Sequence, residues 1–193
     1  MVFDVEYVTQ RYAQLQGRLL PFAPVFLLSA AWRAGLFHLP GDDRPNVPAR
    51  WFVLGLAIAV AASYPVGRWY ENRFGPHPAQ PLTKSPLPSL VAVIACLALA
   101  VWIQGMAHWP FSLPVATLGA AMVVVGVRHY PFRRHYLVVA ALFIGYALLP
   151  AFGVSALARN VLFDLTIAVA IVVVAVGDHL LLTTTLHDVR ADV

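Results

Sequence analysis

Six long apolar runs, separated by short polar segments, account for most of this chain. They lie near residues 19–37, 51–68, 89–107, 112–127, 136–153 and 160–184. A helix needs roughly 17–25 predominantly apolar residues to cross the hydrocarbon core of a bilayer. The runs are continuous, whereas transmembrane strands give segments of about 10 residues with alternating polarity. The pattern therefore predicts an all-α fold, a polytopic membrane helix bundle with six transmembrane helices over residues 19–184.

The polar segments predict the remaining parts of the chain. Residues 1–18 carry apolar side chains at helical spacing, which is typical of a short N-terminal amphipathic helix lying in the membrane interface or packing on a partner. The loop 69–88 has five prolines between positions 76 and 88, and we expect it to be an extended, polyproline-like spacer. Residues 185–193 are expected to form a short tail.

The composition favours lipid as the surrounding medium. Hydrophobic residues make up 60% of the chain and charged residues 11%, against roughly 25% charged residues in an ordinary soluble domain. The mean hydropathy is +0.74. A soluble core could not bury this much apolar surface, so the composition predicts an integral membrane protein whose first partner is the lipid bilayer.

The basic residues flank the apolar runs and predict an orientation. With the N-terminus inside, nine basic residues lie in cytoplasmic segments: Arg11, Arg18, Arg68, Arg73, Lys84, Arg128, Arg133, Arg134 and Arg190. Four lie on the opposite side: Arg33, Arg44, Arg50 and Arg159. This excess predicts cytoplasmic N- and C-termini and explains the net charge of +4 without a nucleic-acid partner. Abundant arginine, alanine and valine favour a bacterial source. We therefore expect the membrane to be the plasma (inner) membrane of a bacterium.

Two acidic residues interrupt the last apolar run. Alternating spacings of four and three place seven positions on one helix face: Asp164, Ala168, Ile171, Ala175, Asp178, Leu182 and Thr185. An ionisable group within a span is costly and tends to face protein and find a partner, so this face is predicted to face the bundle. At about 1.5 Å per residue the two acids are about 21 Å apart, and they therefore belong to separate sites.

The outer acid has a cation at matching depth. Arg33 lies near the outer end of the first run, and we predict an ion pair between Arg33 and Asp164. Gln104 and His108, at the outer end of the third run, are candidates to join it. The cluster is either a polar contact between the first, third and sixth helices or a ligand or proton site in an outward vestibule. Snorkelling to the interface is a third interpretation.

The inner acid lies deeper on the cytoplasmic side. A polar cluster is predicted there from Arg68, Arg128, His135, Asp178 and His179. One interpretation pairs Asp178 with an arginine. The other is a proton relay, because carboxylates and imidazoles at membrane depth serve in such relays.

No motif in the sequence indicates catalysis. The seven histidines are scattered and there is one cysteine, so we expect neither a metal site nor a cofactor. Walker and dinucleotide fingerprints are lacking as well. We therefore expect a non-enzymatic accessory or regulatory subunit that acts through another membrane protein or through copies of itself. The alternative is a small-solute carrier or substrate-capture component of a transporter, with an outward-facing site near Arg33 and Asp164. An intramembrane enzyme is the third class.

Overall fold

The structure, a computed structural model, describes residues 17–37, 49–74, 87–107, 109–128 and 134–191. These ranges are helical and contain no strand, so the predicted all-α class is confirmed. The six helices are α1 (Ala23–Arg33), α2 (Ala49–Phe74), α3 (Leu87–Met106), α4 (Leu113–Arg128), α5 (Arg134–Ala147) and α6 (Ala156–Ala191). Each coincides with one of the apolar runs.

Some predicted boundaries differ from those of the structure. The last helix continues to Ala191, through most of the segment predicted as a tail. The loop predicted at 69–88 is shorter at both ends, because α2 ends at Phe74 and α3 begins at Leu87. The interfacial helix predicted over residues 1–18 lies almost entirely outside the described residues.

The helices differ in whether they can cross a bilayer by themselves. Two are long and apolar enough, over Arg50–Arg73 in α2 and Ala156–Thr184 in α6. The other four are shorter apolar helices within the described ranges. Prolines contribute to the short lengths. Pro150 follows the end of α5, where the chain changes to a 3-10 turn (Leu149–Phe152) that ends at Gly153 with a positive φ of 70°.

The helices pack in an open row around α6. The contacts between them place α1 and α5 on either side of α6, α2 beyond α1, and α4 followed by α3 beyond α5. A 3-10 turn (Leu20–Phe22) before α1 also contacts α2 and α6. The last helix along the sequence is therefore the central one in space, and α2 and α3 form the two ends of the row.

The closest helix pair is α4 with α5. A Cβ atom at Gly119 would lie 2.8 Å from Ile144 Cγ1 and 3.2 Å from the carbonyl oxygen of Ala140. Only glycine permits this approach, which is how small residues let helices pack in membranes. Beside it, α4, α5 and α6 share an apolar cluster with Val115, Val139, Phe143, Ala147 and Ala170 at its centre.

Candidate functional site

The acidic face of α6 points into the protein. Its members Asp164, Ala168, Ala175, Asp178 and Leu182 are each no more than 5% exposed, as the spacing predicts. The alanines leave room for α1, which packs closely on α6. Both carboxylates are thus held within the bundle, each with side chains from neighbouring helices.

At the outer end of α6, Asp164 binds two side chains of α1. Its Oδ2 accepts hydrogen bonds from Ser29 Oγ over 2.5 Å and from Arg33 Nε over 3.0 Å. Ser29 and Arg33 are four residues apart and therefore lie on one side of the helix. The side chain of Asp164 is 8% exposed and that of Arg33 is 23% exposed. The structure thus contains the predicted ion pair and adds a serine that the sequence reasoning missed.

Gln104 of the third helix makes a different contact from the predicted one. Gln104 Oε1 instead accepts a hydrogen bond from the backbone N–H of Leu113 over 2.8 Å. Leu113 is the first residue of α4, so this bond satisfies one of the N–H groups that a helix start leaves free. His108 lies outside the described residues. Among the described side chains the contact joins α1 with α6, and the participation of the third helix through His108 stays a prediction.

At the inner end of α6, Asp178 binds the first turn of α5. His135 Nε2 donates to Asp178 Oδ1 over 3.0 Å, and the Tyr136 hydroxyl donates to Oδ2 over 3.4 Å. Gly177 provides the space, because a Cβ atom there would lie 2.5 Å from Cγ of His135. The carboxylate side chain is 6% exposed and the imidazole 18% exposed.

His179 connects α6 with α2 at the same level. Its Nδ1 lies 2.5 Å from the Tyr70 hydroxyl, a hydrogen bond whose donor depends on the imidazole tautomer. The two rings also make an edge-to-face contact with centroids 5.6 Å apart. Consecutive residues of α6 therefore bind helices on two different sides, Asp178 on α5 and His179 on α2.

The arginines predicted at this level are placed differently. The Arg68 guanidinium lies 5.9 Å from the centroid of the Tyr64 ring on the exposed side of α2. The side chain of Arg128 is outside the described part of the structure, so its pairing with Asp178 stays a prediction. Among the described side chains, the donors to Asp178 include an imidazole and a phenol where an arginine was expected.

An apolar cleft of about 410 Å³ separates α1 from α2. We call it the α1–α2 cleft, and it is lined by Val25, Leu28 and Trp32 on one side and by Trp51, Leu54 and Ile58 on the other. Ser29 also reaches it, although Arg33 and Asp164 are not among its lining residues. Within the described ranges, no group of three histidine, cysteine or acidic residues is arranged to hold a metal ion.

Comparison with known proteins adds no relative. No family model matches the chain, and neither a search of curated proteins nor a search of solved structures gives a match.

Proposed function

We propose that this chain is a six-span protein of the bacterial plasma membrane that acts as a non-enzymatic accessory or regulatory subunit through a protein partner. The observation that carries the proposal is the exposure of α2. This helix is long and apolar enough to span a bilayer, yet 11% of its apolar window is buried within the chain, against 28% for α6.

One face of α2 is suited to a partner helix. Val53, Val60 and Tyr64 are 62%, 59% and 68% exposed, and their spacing of seven and four places them on one side of the helix, opposite the α1–α2 cleft. Large exposed apolar patches mark sites of protein or membrane contact. Helices in lipid associate through packing of such faces, so we assign the partner to this one.

The polar groups support a non-enzymatic role. Ser29 and Arg33 both direct a hydrogen bond to Asp164, and His135 and Tyr136 both direct one to Asp178. These contacts hold helices of the same chain together. They favour the structural interpretation of Arg33 and Asp164 over a solute site in a carrier.

The six-span topology is supported by hydropathy and charge. The four shorter helices do not each match a core about 30 Å thick, but a short span is accommodated by local thinning of the bilayer, by snorkelling of flanking residues or by oligomerisation. Each of these costs only fractions of a kcal/mol per Å of mismatch. The excess of basic residues on one side supports cytoplasmic termini.

Thiol labelling tests the topology. In a background with Cys96→Ser, a single cysteine is introduced at Asp43 or at Val193. Intact cells and permeabilised cells are then treated with a membrane-impermeant maleimide. Labelling of D43C in intact cells, and of V193C only after permeabilisation, is expected. The opposite pattern, or labelling of both positions in intact cells, would contradict the topology.

Photo-crosslinking tests the partner. A photoreactive amino acid at Val60 is compared with one at Ala59, which is 2% exposed and faces the bundle. We expect a discrete protein adduct from position 60 in native membranes and none from position 59. A purified chain that transports a solute in liposomes by itself, with no protein adduct from position 60, would favour the carrier instead.

A further inference from the structure

The two walls of the α1–α2 cleft are matching apolar stripes. Val25, Leu28 and Trp32 of α1 recur at the spacing of one helix side, as do Trp51, Leu54 and Ile58 of α2. The α2 stripe runs over eight residues, from Trp51 to Ile58, and its ends are therefore about 10 Å apart. Behind it the helices close together, because a Cβ atom at Gly55 would lie 3.1 Å from Val25 Cγ1. The cleft is a groove with a floor.

The hydroxyl of Ser29, which reaches the cleft, is already engaged in a hydrogen bond. Ser29 is 3% exposed and its hydroxyl donates to Asp164. It therefore has no free donor to orient a polar solute. Aromatic and aliphatic side chains supply the rest of the named walls, so the cleft suits a flexible apolar chain.

An exposed arginine lies beside one end of the cleft. The exposed Arg50 places its guanidinium 5.8 Å from the centroid of the Trp51 ring, and Trp51 lines the cleft. Arg50 belongs to the first turn of α2, which contains no acidic residue. The N-terminus of a helix also favours negative charge. Trp32 and Phe37 meet edge to face at the same end, with ring centroids 5.4 Å apart.

We propose that the α1–α2 cleft binds an anionic phospholipid of the surrounding bilayer, with one acyl chain between α1 and α2 and the phosphate group against Arg50. The apolar stripes match the chain, and the arginine at the mouth matches the headgroup charge. A phosphate oxygen accepts charge-assisted hydrogen bonds from a guanidinium. The site depends on the membrane insertion in the proposed function but not on the protein partner.

Native mass spectrometry of the full chain tests the site. The protein is reconstituted in nanodiscs that contain equal amounts of phosphatidylglycerol and phosphatidylcholine, released, and analysed for the lipid it retains. We expect retention of one phosphatidylglycerol in preference to phosphatidylcholine. Arg50→Gln should reduce that preference about fivefold, because one basic residue near a lipid surface contributes about 1 kcal/mol.

A matched pair of substitutions locates the lipid. Leu28 lines the cleft and Leu27 does not, although both are exposed on α1. Leu28→Trp should fill the cleft and abolish retention, whereas Leu27→Trp should leave it unchanged. Equal retention of the two lipids by the wild-type chain, or equal behaviour of the two tryptophan variants, would overturn the proposal.

Separate outcomes distinguish the lipid site from the membrane proposal. Loss of the chain from membranes on carbonate extraction would contradict membrane insertion itself. A chain that stays inserted but shows no lipid preference overturns the site alone. A protein adduct formed from a photoreactive residue at position 28 would also overturn it, since a protein segment would then occupy the cleft.

Discussion

Asp164 and Asp178 lie on the same face of α6 and are equally buried, at 5% exposure each, but they differ in the chemistry of their partners. Asp164 binds an arginine and a serine of α1, whereas Asp178 binds a histidine and a tyrosine of α5. An arginine is always protonated in proteins. The contact of Arg33 with Asp164 is therefore an ion pair whenever Asp164 is ionised, whereas the contact of His135 with Asp178 is an ion pair only when that imidazole carries a second proton.

This difference separates two ways of holding a carboxylate between helices. At the outer end, Arg33 neutralises a charge with a charge. At the inner end, His135 and Tyr136 supply hydrogen bonds that remain possible with a neutral imidazole. Removing the acid should therefore have unequal consequences at the two ends, since loss of Asp164 takes the carboxylate away from a permanently charged guanidinium.

Asp164→Ala should cause the largest loss of stability. It leaves the Arg33 guanidinium without the carboxylate, and breaking a buried pair costs about 3–5 kcal/mol. The 23% exposure of Arg33 places the expected loss at the low end of that range. Unfolding by sodium dodecyl sulfate in mixed micelles measures it. Adding Arg33→Met should recover much of the loss, and a double variant no more stable than the single one would show that the pair is not the cause.

Asp178→Ala should cost less. Its partners His135 and Tyr136 can remain neutral, and an unsatisfied buried polar group costs about 1–3 kcal/mol. The stability of both variants is measured by thermal unfolding in the same detergent. A loss of stability in Asp178→Ala larger than that in Asp164→Ala would contradict the distinction between the two ends.

Gly177→Ala tests the packing of His135 on α6 at the inner contact. A Cβ atom at this position would meet the ring of His135, and overpacking of this kind costs about 1–3 kcal/mol. Gly145→Ala is the matched control, because nothing lies within 4 Å of a Cβ atom there. In the control, replacing a helical glycine by alanine should raise the free energy of unfolding by about 0.5–1 kcal/mol. Equal shifts in melting temperature would show that His135 does not pack on Gly177.

Ser29→Ala should have the smallest effect. Hydrogen bonds between membrane helices contribute about 0.6 kcal/mol on average in double-mutant cycles. A double-mutant cycle of Ser29→Ala with Asp164→Ala isolates the energy of the hydrogen bond between the two side chains. A coupling energy of zero would mean that Arg33 alone secures the carboxylate.

The helices and the inward face of α6 could be predicted because they depend on short-range spacing. The ion pair of Arg33 with Asp164 also followed from depth, since both lie about one turn inside the outer ends of the apolar runs 19–37 and 160–184. The rotation of each helix about its axis could not be predicted from depth. Depth alone made Arg68 as good a partner for Asp178 as His135, yet Arg68 lies on the exposed side of α2.

The neighbours of each helix could not be predicted either. Apolar residues surround α6 on all sides, so hydropathy does not tell which side faces α1 or α5. Gln104 shows the same limit. Its depth matched that of Asp164, but the short connection between α3 and α4 brings its amide to the backbone of Leu113. Ser29 gave no signal because a serine is also an ordinary small packing residue.

The central position of α6 has a consequence for biogenesis. Ser29 and Arg33 are separated from Asp164 by 135 and 131 residues, and translation delivers α6 after all the other described helices. During synthesis, α4 and α5 can pair as a local hairpin, whereas Arg33 remains without the Asp164 carboxylate until the ribosome has supplied the final helix. The first described helix to leave the ribosome is therefore among the last to gain its contacts with α6.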